Sequence, residues 1–139
     1  MNVKFLSLFL ASVLLAGCAT TNQHVFDSGG ESQLQKRSYQ SRTFDTSDKE
    51  KVLRGVISTL QDLGFVIDRA DLMLGSVSGT KLDVNQIKAT VSVRSKGEGQ
   101  MVVRANAQFN VSPIEDPKHY QDFFNSLEKS LFLTAHLGE

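Results

Sequence analysis

Two runs of alternating apolar and polar residues, separated by a short turn, constrain the fold of this chain most strongly. Apolar residues occupy every second position from Ile87 to Val93, and again from Met101 to Val111. Because successive side chains of a strand point to opposite faces, each run has one apolar and one polar face. Residues 96–99 (Lys-Gly-Glu-Gly) form a turn between them. The pattern predicts an antiparallel hairpin with one buried and one solvated face.

An amphipathic helix is predicted over residues 48–63. Ser47 and Glu50 match a capping box, in which each side chain accepts from the other residue's backbone N–H. Gly64 supplies the left-handed conformation that ends many helices. Apolar residues spaced by three and four positions share one helical face, namely Val52, Leu53, Val56, Ile57, Leu60 and Leu63.

A second helix is predicted from Pro117 to about residue 135, with Asp116 as its cap. Its apolar stripe is rich in aromatic residues and consists of Tyr120, Phe123, Phe124, Leu127 and Leu131. Further strands are predicted at residues 38–44, 65–69 and 74–81, with a connection over residues 71–75.

Together these elements follow the order β-α-β-β-β-β-α. They predict an α+β fold in which a curved antiparallel sheet of four to five strands carries two helices packed on one face. The opposite face of the sheet is expected to remain exposed to solvent.

The first seventeen residues have the three parts of a secretory signal. Lys4 provides the positive charge, residues 5–15 provide an apolar run broken only by serines, and the small residues Ala16 and Gly17 follow. The run is too short to cross a bilayer, which takes roughly 20 apolar residues. Residues 1–17 are therefore predicted to be a leader that is removed.

Cys18 is the only cysteine of the chain, and it follows this leader directly. A chance cysteine beside an ordinary cleavage site is one explanation, but cysteines of exported proteins are normally paired. The order Leu15-Ala16-Gly17-Cys18 resembles a bacterial lipobox, the signal for acylation of the cysteine. The resemblance implies a diacylglyceryl group on Cys18, usually with a further N-acyl chain. Two or more such chains hold a protein stably on a membrane.

The residue after the cysteine indicates in which membrane a lipoprotein of this class is anchored. In that class of lipoprotein an aspartate at this position signals retention in the inner membrane, and this chain has Ala19. The resemblance therefore implies anchoring in the outer membrane of a cell with two membranes, and we expect the domain to face the periplasm. Apart from this covalent lipid, no cofactor is expected.

The anchor is followed by a polar segment without helix or strand periodicity. Residues 18–37 are therefore predicted to be a flexible tether, and residues 38–139 a single α+β domain.

Charge and composition argue against several classes of function. Fifteen Lys and Arg residues balance fifteen Asp and Glu residues, which gives no electrostatic reason to expect nucleic acid as a partner. None of the histidines has a ligand partner at i, i+4 spacing, and the carboxylates considered for an acid pair or cation site fall at a strand end and in loops. We predict no metal site and no enzymatic activity. The residues considered are His24, His119, His136, Asp68, Asp71 and Asp83.

The polar face of the hairpin is the one surface that suggests a partner. A solvated sheet face is the commoner explanation for such a surface, and an exposed edge strand that accepts a partner peptide is a further possibility. The residues of this predicted partner face are Lys88, Thr90, Ser92, Arg94, Arg104, Asn106 and Gln108.

Three segments of the domain carry a resemblance to known proteins: Arg37-x-x-Gln40-x-Arg42-x-Phe44-Asp45-Thr46, Leu60-Gln61-Asp62-Leu63-Gly64-Phe65-x-Ile67-Asp68 and Ala70-Asp71-x-x-Leu74-Gly75-x-Val77-Ser78-x-Thr80-Lys81. With them, residues 37–133 resemble a group of small, mostly uncharacterised outer-membrane lipoproteins of Gram-negative bacteria. Their arrangement also resembles, by topology, the helix-grip domains of a lipoprotein subunit of the outer-membrane β-barrel assembly machine. Such domains bind partners rather than catalyse, although fold alone does not fix function.

Two functions follow as hypotheses. The first is a non-catalytic structural or accessory subunit of an envelope transport, secretion or assembly complex, which binds an envelope protein. The second is a module that binds a lipid or small ligand in a cavity between the sheet and the last helix. Four aromatic residues are candidates to line such a cavity or to fill the core instead: Phe109, Phe123, Phe124 and Phe132.

Overall fold

The computed structural model describes residues 32–82 and 85–137, with side chains to residue 133. The predicted leader, Cys18 and the predicted tether before Ser32 lie outside the described residues. The elements in chain order are α1 (Gln33–Gln40), β1 (Ser41–Phe44), α2 (Lys49–Asp62), β2 (Val66–Asp71), β3 (Ser76–Leu82), β4 (Gln86–Ser95), β5 (Met101–Phe109), β6 (Ser112–Pro113) and α3 (Pro117–Leu137).

All strands belong to one antiparallel sheet with the order β1-β5-β4-β3-β2, and β6 also pairs with β5. The hairpin of β4 and β5 lies at its centre, in a continuous register from Ile87 opposite Phe109 to Ser95 opposite Met101. β1 and β6 pair with different parts of the outer edge of β5. The α+β class and the central hairpin are confirmed.

The core lies between one face of the sheet and the helices α2 and α3. Inward residues of β3, β4 and β5 are buried together with the apolar stripes of both helices, so the prediction that both helices pack on one face is confirmed. Burial of such side chains is the main source of stability in a domain of this size. The core residues are Val52, Leu53, Val56, Leu60, Val77, Ala89, Val91, Val93, Met101, Val103, Ala105, Tyr120, Phe123, Phe124 and Leu127.

Small residues bring the two helices close together. A Cβ atom at Gly55 of α2 would lie 2.8 Å from Leu131 Cδ2 of α3, so only glycine fits without a shift. Nearby, the hydroxyls of Ser58 and Ser130 lie 3.0 Å apart and join the helices by a hydrogen bond.

The structure differs from the prediction at the beginning of the domain. Residues 38–40, predicted as strand, and residues 33–37, predicted as tether, belong to α1. The helix begins with a capping box: Gln35 N donates to Ser32 Oγ (3.2 Å), and Ser32 N donates to Gln35 Oε1 (2.9 Å). The ring of Tyr39 packs 5.3 Å from that of Tyr120 in α3, which holds this short helix on the domain.

Two smaller differences concern the ends of elements. The N-cap of α2 is Asp48 rather than Ser47: its carboxylate accepts from Lys51 N (2.9 Å), and a negative charge at this end also suits the helix dipole. The short strand β6 was not predicted. It is too brief to show any alternation of apolar and polar residues.

The turn from β2 to β3 packs tightly against β4. The carbonyl of Gly75 accepts from Val93 N (2.7 Å). The carboxylate of Asp71 accepts from Leu74 N (2.8 Å), and this hydrogen bond holds the pKa of Asp71 below its usual range. Gly75 has a φ of +69°, and a Cβ atom there would overlap the carbonyl oxygen of Val93.

Replacing Gly75 by alanine is expected to destabilise the domain strongly. The left-handed backbone costs about 1–2 kcal/mol for a residue with a side chain, and the overlap with Val93 adds about 1–3 kcal/mol. Gly97→Ala is the matched control, because Gly97 has a φ of +61° but nothing within 4 Å of its Cβ position. Urea denaturation measures both free energies of unfolding. Equal losses for the two variants would contradict the close packing of the turn.

Candidate ligand cavity

A cavity of about 580 Å³ opens between the sheet and the two long helices. It lies where α2 ends and α3 begins, over the neighbouring ends of β3, β4 and β5. The volume falls in the range of about 300–1,000 Å³ that is typical of small-molecule sites. The lining residues are Leu60, Leu63, Phe65, Lys81, Ile87, Ala89, Ala105, Asn106, Ala107, Phe109, Ile114, His119, Tyr120, Asp122 and Phe123.

Alanines on the inner face of the sheet form the floor of this cavity. Ala89 of β4 lies opposite Ala107 of β5, and Ala105 lies two positions along β5. Larger residues would fill the space below the helices, as Val91, Val93 and Val103 do further along the same face. The alternating pattern predicts that these alanines face inward. The small size of their side chains is the signal in the sequence that indicates a cavity at this place, and it is not among the predictions above.

Tyr120 forms the wall of the cavity at the start of α3. Its side chain is buried, and its hydroxyl donates to the carbonyl of Ile114 (2.6 Å) while accepting from Ala107 N (3.2 Å). Gln40 Nε2 of α1 lies 3.4 Å from the same hydroxyl. The hydroxyl thus connects α1, β5 and α3 beside the cavity.

Polar side chains line part of the cavity as well. Lys81 Nζ donates to the carbonyl of Leu63 at the end of α2 (3.0 Å), where a cation suits the helix dipole. Asp122 accepts from Lys118 (2.6 Å), and this hydrogen bond raises the pKa of Lys118. His119 is 65% exposed. The cavity therefore combines a largely apolar lining with a few charged groups.

The four aromatic residues proposed as cavity lining divide into two pairs. Phe109 and Phe123 line the cavity. Phe124 is instead fully buried in the core, and the guanidinium carbon of Arg42 lies 5.1 Å from the centre of its ring. Phe132 is exposed near the end of α3. Phe124 thus follows the alternative of a core residue, and Phe132 neither lines this cavity nor fills the core, because successive residues of a helix point in different directions.

The residues of the predicted partner face lie together on the outer face of β4 and β5. Cross-strand pairs bring six of them into contact range, and Arg94 continues the row opposite Val102. Ser92 and Arg104 are half-buried and the other five are exposed. The pairs are Lys88 with Gln108, Thr90 with Asn106, and Ser92 with Arg104.

The sheet edges offer little to a partner strand. β2 has a register irregularity between Ile67 and Arg69 and exposes the charged residues Asp68 and Arg69. Such irregularities and charges are common protections of edge strands. The other edge is formed by β1 and β6, which pair with β5 and are only four and two residues long; such short edge strands offer little to a partner.

Among the residues that the structure describes, the remaining candidates for chemistry do not come together in one site. Asp68 accepts from Thr80 Oγ1 (2.7 Å), whereas Asp71 binds the backbone of its own turn, and His119 lies 4.0 Å from Asp116. Asp83 and His24 lie outside the described residues, as does the side chain of His136. Among the described residues, no group of three or more His, Cys, Asp or Glu side chains could hold a metal ion.

No helix within residues 32–82 and 85–137 is both long and apolar enough to cross a membrane. No protein-family model matches the chain, and the comparison with curated proteins finds no match either.

Removal of the Tyr120 hydroxyl is expected to destabilise the domain. In Tyr120→Phe, the Ile114 carbonyl and the Ala107 N–H lose their partner in a part-buried place, at a cost of about 1–3 kcal/mol. Gln40→Ala is the control, since it removes only the longest of the three contacts. Thermal and urea unfolding measure the difference. A loss in Tyr120→Phe no larger than that in Gln40→Ala would contradict this role of the hydroxyl.

Proposed function

We propose that this chain is a non-catalytic lipoprotein of the outer membrane, anchored through acylated Cys18 and facing the periplasm, whose domain binds the apolar part of a small amphipathic molecule. The observation that carries the binding proposal is the cavity with its alanine floor. The anchor is carried by the order Leu15-Ala16-Gly17-Cys18 and the leader before it.

The lining of the cavity favours a ligand with an apolar body and a polar end. Ile87, Phe109, Ile114 and Phe123 offer apolar surface to such a body, and transfer of apolar area out of water drives its binding. Lys81 offers an ammonium group to a polar or anionic end, because a lysine has three donors and the Leu63 carbonyl accepts from one.

A larger side chain on the floor of the cavity is expected to weaken binding. The mature chain is titrated with a fluorescent fatty acid as the probe, and its affinity is compared with that of Ala89→Leu, in which a larger side chain occupies the floor. We expect the variant to bind at least about tenfold more weakly. Thr90→Leu is the matched control, since Thr90 is the next residue of β4 and lies on the opposite, exposed face.

Two further measurements make this test decisive. Circular dichroism and thermal unfolding show whether Ala89→Leu folds, and Ala107→Leu repeats the test at the opposite residue of β5. Weak binding in the parent chain, or equal binding in a folded Ala89→Leu and in Thr90→Leu, would overturn the proposal of a ligand cavity.

A second function, that of an accessory subunit of an envelope transport, secretion or assembly complex, is favoured by the partner face. Its polar side chains form a row along two neighbouring strands at the centre of the sheet. Hydrogen-bonding and cationic groups in such a row suit an envelope protein with acidic or polar side chains.

Photo-crosslinking in cells tests this second function. Probes at Thr90, Arg104 and Gln108 are expected to capture the same envelope protein, because the three residues lie on one face. A probe at Gln121, exposed on α3, serves as the control site. Capture of no protein, or of the same protein from Gln121 at equal yield, would count against the partner face.

A further inference from the structure

Large apolar side chains are exposed at one end of the sheet. Val66 is 71% exposed at the beginning of β2, Leu82 is 77% exposed at the end of β3, and Phe109 is 41% exposed at the end of β5. Val111, in the turn to β6, is 90% exposed. We call these four residues the apolar rim. Single exposed apolar residues are common on proteins, but a group at one end calls for an explanation.

The register of the strands places these residues at the same end. Val66 lies opposite Thr80, two residues before Leu82, and Leu82 lies opposite Gln86. The Gln86 carbonyl in turn accepts from Asn110 N (2.8 Å), between Phe109 and Val111. The apolar rim thus lies at neighbouring strand ends from β2 to β5. Val66 and Leu82 are on the outer face of the sheet, in register with Lys88, and Phe109 is on the inner face beside Ile87.

The cavity lies at this same end. Phe109 belongs both to the apolar rim and to the cavity lining, together with its cross-strand partner Ile87. Lys81, the residue before Leu82, also lines the cavity. A molecule bound in the cavity is therefore close to the surface that the apolar rim forms.

The chain also enters the domain at this end. Lys36, near the beginning of α1, forms an ion pair with Glu115 in the connection from β6 to α3. Leu34, two residues before Lys36 in the same helix, is 76% exposed. Thirteen residues, 19–31, lie between Cys18 and Ser32, so an anchor at Cys18 could lie no further than about 50 Å from this end of the domain.

We propose that the apolar rim docks on the surface of the lipid bilayer, so that the cavity faces the membrane. This inference rests on the proposed lipid anchor, which would hold the same end of the domain near the bilayer. Lys36 and Lys118 at this end are each paired with a carboxylate, Glu115 and Asp122. Lys81 and Lys88 also lie at this end, so anionic headgroups can add to an apolar contact that carries the docking.

The opposite end of the sheet provides a matched control. The turn from β2 to β3 exposes Leu72, Met73 and Leu74, and Met73 is 90% exposed, the same value as Val111. This turn is as apolar as the rim, but it lies at the other end of the strands, away from the cavity and from the entry of the chain.

The experiment places a thiol probe at each end of the full mature lipoprotein. Val111→Cys and Met73→Cys are labelled with an environment-sensitive fluorophore and reconstituted in vesicles of phosphatidylethanolamine and phosphatidylglycerol that contain nitroxide-labelled phosphatidylcholine. We expect quenching and a blue shift at residue 111, and neither at residue 73. Vesicles without phosphatidylglycerol should still give quenching at residue 111 and none at residue 73, because apolar contact carries the docking.

The controls separate this inference from the proposals on which it depends. Cys18 is the only cysteine of the parent chain, so an acylated parent has no thiol to label. Labelling of the parent would therefore refute the proposed lipid anchor, and only that proposal. Ala89→Leu in the Val111→Cys background should leave the quenching unchanged, because docking does not need an occupied cavity. With an unlabelled parent, equal quenching at both residues, quenching at residue 73 only, or quenching at neither would overturn the docking of the apolar rim.

Discussion

The buried hydroxyl of Tyr120 is the interaction on which the arrangement of helices and sheet depends. Ala107 lies on β5 between the part paired with β1 and the part paired with β6, so its N–H has no strand partner on that edge. The tyrosine hydroxyl accepts from this N–H and donates to the Ile114 carbonyl. It thereby fixes the beginning of α3 against the sheet, at the point where the alanine floor leaves the space open.

Features that could serve binding are concentrated at one end of the domain. The cavity, the apolar rim and the entry of the chain lie together there, whereas the opposite end carries the turns from β2 to β3 and from β4 to β5. The polar partner face is separate from them, on the outer side of β4 and β5. A small domain of this design can present a ligand site to a membrane and leave a hydrogen-bonding surface available to another protein.

Local periodicity accounts for what could be predicted about the fold. The β4–β5 hairpin and helices α2 and α3 each carry their own pattern of apolar residues, so their existence and their buried faces follow from the sequence alone. Helix α1 could not be predicted in this way. It is short and mostly polar, and it is held by the contact of Tyr39 with Tyr120, a residue 81 positions later in the chain.

For this protein, the sequence by itself determined the class of fold, the two faces of the central hairpin and the expectation of a lipid anchor at Cys18. Only the tertiary structure decided that Phe109 and Phe123 line a cavity whereas Phe124 fills the core, and that the apolar rim lies beside the entry of the chain. The physical reason is that alternation fixes on which face a side chain lies. The size of the space over that face depends on how closely residues distant in sequence allow helix and sheet to approach.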